Sequence, residues 1–287
     1  MKISEIVRRI ESYHPYLPDY NGCDGYKSGN PEDECTGIAC ALVPTYEVIR
    51  EAAEKGCNFL YVHEPSYYLS PDYPDWRGDF GNKVYEEKRK FIDDHRITIY
   101  RDHDHTHAHQ PDGIFTGVKK YFGWEKYEVE NDTGIWGSYL FEVPTLTVGE
   151  MRDFLIRTLH LNGCRFIGRE SDRIHRVAIV GHIFPEGFGP SVPREENGFF
   201  TDYSTDIMRA METKGLQAII PGEIIEWNVL SYIGDAVAMG KTAACFNIGH
   251  FSFEELGARY AADWIGDLVE HNVPICYIPR KDLWSFG

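Results

Sequence analysis

Short apolar runs alternating with segments of helical periodicity constrain this chain more than any other feature. GIACALV, NFLYV, ITIYR, RVAIVG, QAIIP, AACFNI and PICYI are each too short for a buried helix, and they read as strands buried on both faces. The segments between them place apolar residues at helical spacing over roughly ten or more residues, long enough for the crossover that joins parallel strands. The expected fold class is therefore α/β, with two α/β domains whose sheets are mostly parallel.

The individual signals agree with that frame. Ile3, Ile6, Val7 and Ile10 form one apolar stripe over residues 2–13, which predicts a surface helix. Tyr16 to Thr36 carries turn chemistry (Asn21-Gly22, Gly29, Pro31) and reads as a loop. Thr45, after Pro44, caps a helix that ends at Gly56, and a charged helix is expected over Lys83 to Asp94. Further helices are expected near Ile114 to Phe122, Asp206 to Lys214, Trp227 to Met239 and Ser252 to Glu270, with IWGSYLFEV as an additional strand. Thr147 with Glu150, and Ser252 with Glu255, have the spacing of capping boxes. We place the domain boundary near residues 125–135. A first α/β domain then covers 1–130 and a second α/β region 131–287, the last helix and strand being free to return to the first.

Composition excludes some functions. Acidic residues outnumber basic ones 45 to 29, for a net charge of -16, so a nucleic-acid partner is not expected, because phosphate binding needs a cationic face. No window approaches the roughly 18 consecutive apolar residues of a membrane span, and the N-terminal segment lacks a signal core. A cytoplasmic protein without a membrane partner is expected. The seven cysteines, at 23, 35, 40, 57, 164, 245 and 276, form no CxxC pair, so neither a disulfide framework nor a thiolate zinc site is indicated, and most read as small buried apolar residues.

Ligand-type side chains follow predicted strands at three places: His63-Glu64 after NFLYV, the tract DHDHTHAH after ITIYR, and His250 with Glu254 after AACFNIG. In open parallel sheets the carboxyl ends of the strands face one crevice, and ligands bind there. His103 and His107 share a face whether their tract is extended or helical, while His105 and His109 form the alternative pair. Residues 63, 64, 103, 107, 250 and 254 form the expected metal-ligand set. Six His and carboxylate donors without a thiolate suit two divalent ions of borderline type, zinc, manganese, iron or cobalt.

At these residues the chain resembles the NGG-interacting factor three family of dinuclear-metal proteins, some members of which carry the name type two GTP cyclohydrolase. The family's His-His-Pro, His-Thr-Asn-x-Asp, Gly-Asp/Glu-x-x-His-His and Gly-His-aromatic-x-x-Glu motifs look like YVHEPSYY, IYRDHDHTH, PGEIIEW and IGHFSFE here. Gly249, His250, Phe251 and Glu254 fall as the last motif requires, whereas Glu64 replaces a His, His107 an Asp, and Glu226-Trp227 the paired His. The resemblance implies two α/β domains around a central metal-binding cleft, a homohexameric ring, and hydrolysis of a small-molecule substrate, such as a C–N bond of a nucleotide or cyclic amide. Under that reading Glu226 is a candidate orienter or general base, Glu223 and Asp24 are candidate orienters, and Tyr67, Tyr68 and Trp76 are candidate substrate neighbours. The alternative is a metal-binding scaffold or metal chaperone without turnover.

Overall fold

The computed structural model describes residues 1–69, 71–73, 78–183 and 192–285. Among them the chain divides into two compact units, one of Met1–Val118 with Glu254–Ser285, the other of Lys119–Phe253. Two helices, Gly113–Phe122 and His250–Leu268, carry the chain from one unit into the other.

The first unit is built on a five-stranded sheet in the order Gly25–Ser28, Thr98–Arg101, Phe59–Val62, Ile38–Ala41, Ile275–Tyr277. All neighbours are parallel except the first pair. Side chains alternate across it as the pleat demands. Ile38, Cys40, Phe59, Tyr61 and Tyr100 pack against the opening helix Ile3–Tyr13 and against Trp264 and Ile265 of the helix His250–Leu268. Ala39, Ala41, Leu60, Val62 and Ile99 face Val48, Ile49, Ala52, Tyr85 and Ile92, from the helices Tyr46–Glu54 and Lys83–Asp94. Both faces are covered, which is why these strands read as unbroken apolar runs.

Two helices of this unit cross unusually closely. A Cβ added to Gly117 would lie 2.4 Å from the Leu256 carbonyl oxygen, and one added to Gly257 would lie 2.4 Å from Ile114 Cδ1. Glycine at both positions lets the helix bearing Glu254 seat against the helix Gly113–Phe122.

The second unit has a six-stranded sheet in the order Glu128–Val129, Tyr139–Thr147, Arg173–Ile179, Ala218–Ile220, Ala244–Asn247, Arg165–Ile167. Its centre is parallel, from Arg173–Ile179 through Ala218–Ile220 to Ala244–Asn247, and the flanking strands are antiparallel. Leu140, Ala178, Ile219 and Cys245 pack with Ile207, Ala210 and Ile233 of the helices Tyr203–Thr213 and Ser231–Ala238. No helix among the described residues is long and apolar enough to cross a membrane.

Several local expectations are corrected. The loop over 16–36 contains the edge strand Gly25–Ser28, whose sequence GYKS carries no apolar run. The short strands Glu128–Val129 and Arg165–Ile167 and the hairpin Arg194–Glu196/Phe199–Thr201 were likewise unmarked. The helix expected from Trp227 begins as a π-helical stretch, Glu226–Leu230, broken at Asn228, and becomes regular only at Ser231. Thr147 and Glu150 do form both bonds of a capping box. Ser252 and Glu255 do not, because the helix starts earlier, at His250 after Gly249 (φ +82°), and Glu255 instead accepts the Arg280 backbone N–H at 2.8 Å and faces its guanidinium at 3.2 Å.

Candidate metal centre

In the first unit, His63 and His103 follow the carboxyl ends of adjacent parallel strands, Phe59–Val62 and Thr98–Arg101. The tract after His103 folds into one short helix, Asp104–Ala108, with the His107 backbone N–H bonded to the His103 carbonyl at 3.1 Å. Asp24 sets this turn. Its carboxylate accepts the backbone N–H groups of His103, Asp104 and His105 at 2.7, 3.1 and 3.0 Å, serving as a cap from a distant loop.

The result is a cluster of three rings. His63, His103 and His107 each offer a ligand atom within 4.8 Å of the other two. Ring centroids lie 4.4 Å apart for His63–His103, 4.9 Å for His63–His107 and 4.8 Å for His103–His107. Glu254, buried, brings a carboxylate oxygen to 3.7 Å from His63 Nε2.

Each ring is held by its other nitrogen. His63 Nδ1 lies 3.1 Å from the Asp102 carbonyl oxygen, His103 Nδ1 2.8 Å from Asp104 Oδ1, and His107 Nδ1 2.9 Å from Asp112 Oδ2. A carbonyl can only accept, and a carboxylate accepts when ionised, so in the neutral ring each Nδ1 carries the proton and each Nε2 keeps a lone pair. This is the arrangement in which histidines bind metals, with the outer acceptor fixing tautomer and ring direction. His63 Nε2 is buried and has no hydrogen-bond partner among the described residues, which costs stability unless a cation meets it.

Electrostatics separate His63 from His107. Burial pushes the His63 pKa well below the usual imidazole range, helped by the nearby charges of His103 and His107. Burial opposes protonation of His107 as well, but the bond to Asp112 and the charges of Asp112 and Glu254 outweigh it, so its pKa is raised. The bond from His103 holds the Asp104 carboxyl well below its ordinary value against the effect of burial.

The remaining first-unit candidates fall elsewhere. Glu64 is buried, with its carboxylate 3.8 Å from an Arg101 guanidinium nitrogen, and Arg101 Nε donates to the His63 carbonyl at 2.9 Å. His105 turns its Nδ1 to Asp24 at 2.7 Å, and His109 stacks on Tyr13 with centroids 4.4 Å apart. The alternative pair therefore lies apart from the three-ring cluster. Tyr67 is fully buried in the core, Tyr68 is exposed beside Lys88, and Trp76 lies outside the described residues.

The second unit repeats the placement. His182, Glu223 and His250 follow the carboxyl ends of its three parallel strands, Arg173–Ile179, Ala218–Ile220 and Ala244–Asn247. His250 Nδ1 lies 3.2 Å from Glu223 Oε1, the same type of outer contact. His182 was missed by sequence reasoning although it obeys the same strand-end rule. It packs edge-on to His250 at 4.4 Å, and its Nδ1 accepts the Glu223 backbone N–H at 2.9 Å, which leaves the proton on Nε2. Glu226 is exposed and ion-paired with Arg165. Together they border a cavity of about 240 Å³ that also touches Phe166, Leu230 and Asn247.

An α/β fold whose strand ends gather side chains able to hold a metal ion defines the class. The chain belongs to the Duf34/NIF3 (NGG1p interacting factor 3) family, whose profile matches residues 1–182. It is 24% identical over 262 residues to a Clostridium acetobutylicum protein named GTP cyclohydrolase 1 type 2 homolog, covering 88% of this chain and 85% of that one. A Clostridium perfringens protein of the same name is 25% identical over 260 residues, covering 88% and 87%. Among solved structures, Staphylococcus aureus protein SA1388 superposes with a TM-score of 0.70 at 18% identity, covering 100% of this chain and 99% of that one. A Bacillus cereus protein related to NIF3 does so with a TM-score of 0.69 at 14% identity, covering 100% and 99%. These superpositions support the α/β fold.

Proposed function

We propose that the protein is a dinuclear-metal hydrolase of a small molecule, acting on a C–N bond of a nucleotide or cyclic amide. The observation that carries this reading is the set of Nδ1–H contacts that leaves the Nε2 atoms of His63, His103 and His107 as lone-pair donors. In this reading these rings and Glu254 hold one ion. His250, whose Nδ1 faces Glu223 within the second unit, is the candidate ligand of the second ion. Without thiolates, the set suits zinc, manganese, iron or cobalt.

Two such ions supply Lewis-acid polarisation and a water that ionises near neutral pH. The chain's own residues do the positioning. Asp102, Asp104 and Asp112 fix the tautomers, and Asp24 holds the turn that aims His103 and His107. Glu226, proposed as a proton acceptor, would first have to leave Arg165. The names of the clostridial relatives favour a purine nucleotide as the substrate class. A homohexamer in the cytoplasm completes the proposal, and exposed Phe199 and Phe200 are the kind of apolar surface a subunit contact would cover.

The test combines metal analysis of protein purified without chelator with assays on nucleotides and cyclic amides. Two ions per chain and turnover lost in His63→Ala and Glu254→Ala are expected. Fewer than about half an ion per chain would defeat the reading, and bound metal without turnover would favour the scaffold or chaperone alternative.

A further inference from the structure

Two of the cysteines are neither isolated nor sealed in the core. Cys57 and Cys276, 219 positions apart, are free thiols whose sulfurs approach to 3.9 Å in the first unit. Cys57 sits on the turn that leaves the helix Tyr46–Glu54, just after Gly56 (φ +75°), with its backbone N–H bonded to the Ala52 carbonyl. The turn is tight against the sheet, since a Cβ on Gly37 would come within 3.0 Å of Cys57 Sγ. Cys276 is the middle residue of the edge strand Ile275–Tyr277, in register with Ala39. Cys276 is partly exposed, and Cys57, itself buried, lies in the lining of a surface cavity of about 440 Å³.

The two thiols also differ chemically. The Cys276 pKa is lowered, mainly by the hydrogen bond with Cys57, with Lys55 assisting against burial. A thiolate is the nucleophile in sulfur oxidation, and a second thiol within reach is what resolves the product. By contrast Cys40 and Cys245 are fully buried, and burial raises their pKa.

We propose that Cys57 and Cys276 form an oxidisable dithiol that a hydroperoxide such as hydrogen peroxide converts into an intramolecular disulfide. In the first step the Cys276 thiolate attacks one peroxide oxygen. An S–O bond forms, the O–O bond breaks, and hydroxide leaves to be protonated to water. The Cys57 sulfur then attacks the Cys276 sulfenic acid, forming the S–S bond and breaking S–O. The hydroxyl leaves as water with the proton from Cys57. Two thiols are oxidised, and one peroxide is reduced to two waters. The S–S bond of about 2 Å ties the closing edge strand to the turn before Phe59–Val62, on the other side of the strand Ile38–Ala41.

The test uses the full-length protein, treated with hydrogen peroxide, alkylated under denaturing conditions, digested without reductant and analysed by mass spectrometry. A linked peptide pair joining Cys57 to Cys276 is expected, two hydrogens lighter than the separate peptides and released by dithiothreitol. In Cys276→Ser the linked pair is absent and Cys57 remains alkylatable at the same dose. The wild-type map needs no variant to fold. Recovery of both cysteines alkylated or over-oxidised without a link, or linkage of either one to another cysteine, overturns the proposal. The readout is a covalent bond, so its failure is distinguishable from failure of the metal reading.

Discussion

Asp112 holds two acceptor roles that an amide cannot both fill. One oxygen accepts the backbone N–H groups of Ile114 and Phe115 at 2.8 and 3.1 Å, capping the helix Gly113–Phe122, and the other accepts His107 Nδ1–H at 2.9 Å. Asp112→Asn leaves only one acceptor oxygen. Two backbone donors outweigh one ring donor, so the oxygen stays at the cap and the NH2 group turns to His107. Nδ1 must then accept, the proton moves to Nε2, and the lone pair facing the cluster is lost. Removing an outer partner of a metal-binding histidine weakens metal binding about 10- to 100-fold, or about 1.4 to 2.7 kcal/mol. Because the cap survives, apo stability should change by less than about 0.5 kcal/mol, whereas Asp112→Ala should also lose about 1 kcal/mol of capping. Isothermal titration with zinc or manganese measures the first quantity and denaturant unfolding of the metal-free protein the second. If Asp112→Asn changes neither, or if its loss of affinity is matched by a loss of apo stability, the tautomer argument is wrong.

Other outcomes follow from the same geometry. Gly117→Ala drives a Cβ to 2.4 Å from the Leu256 carbonyl and should cost about 1 to 3 kcal/mol in urea unfolding; an unchanged midpoint would show that the helix crossing is looser than described. Lys88 is buried and donates to the Ser66 carbonyl at 2.6 Å, and burial lowers its pKa to about 8. The unfolded chain then holds a proton on Lys88 that the folded one releases as pH rises from about 8 towards 10.5, so Lys88 by itself contributes a gain in stability over that window, on the order of 3 kcal/mol. The stability difference between wild type and Lys88→Met should therefore move in favour of wild type by that amount in denaturation measured across the window, and a difference independent of pH would refute the Lys88 assignment. Asp24→Ala removes the acceptor of three backbone N–H groups and should lower metal affinity at least as much as His103→Ala, whereas His109→Ala should leave it within about twofold, a small change on the affinity scale. Titration calorimetry on the three variants checks that order.

Much of this was readable along the chain because its causes are local. Ile3, Ile6, Val7 and Ile10 mark a helix by spacing alone, the Thr147–Glu150 box depends on residues three apart, and strands buried on both faces must be apolar throughout. The strand-end rule points to His63, the tract after Arg101 and His250 from sequence alone, since a parallel sheet aligns its carboxyl ends. Gly25–Ser28 escaped, because its four residues, GYKS, form no apolar run inside a segment rich in turn residues.

What only the folded chain decided is the choice among chemically equal side chains. Four histidines stand in one short tract, yet His103 and His107 meet His63 while His105 turns to Asp24 and His109 to Tyr13. That selection is made by Asp24, some eighty positions earlier, and by Asp112 at the start of the next helix, through hydrogen bonds that no spacing rule encodes. The proximity of Cys57 to Cys276 is of the same kind. Periodicity reports which face of an element is buried, and only long-range packing fixes which buried groups touch.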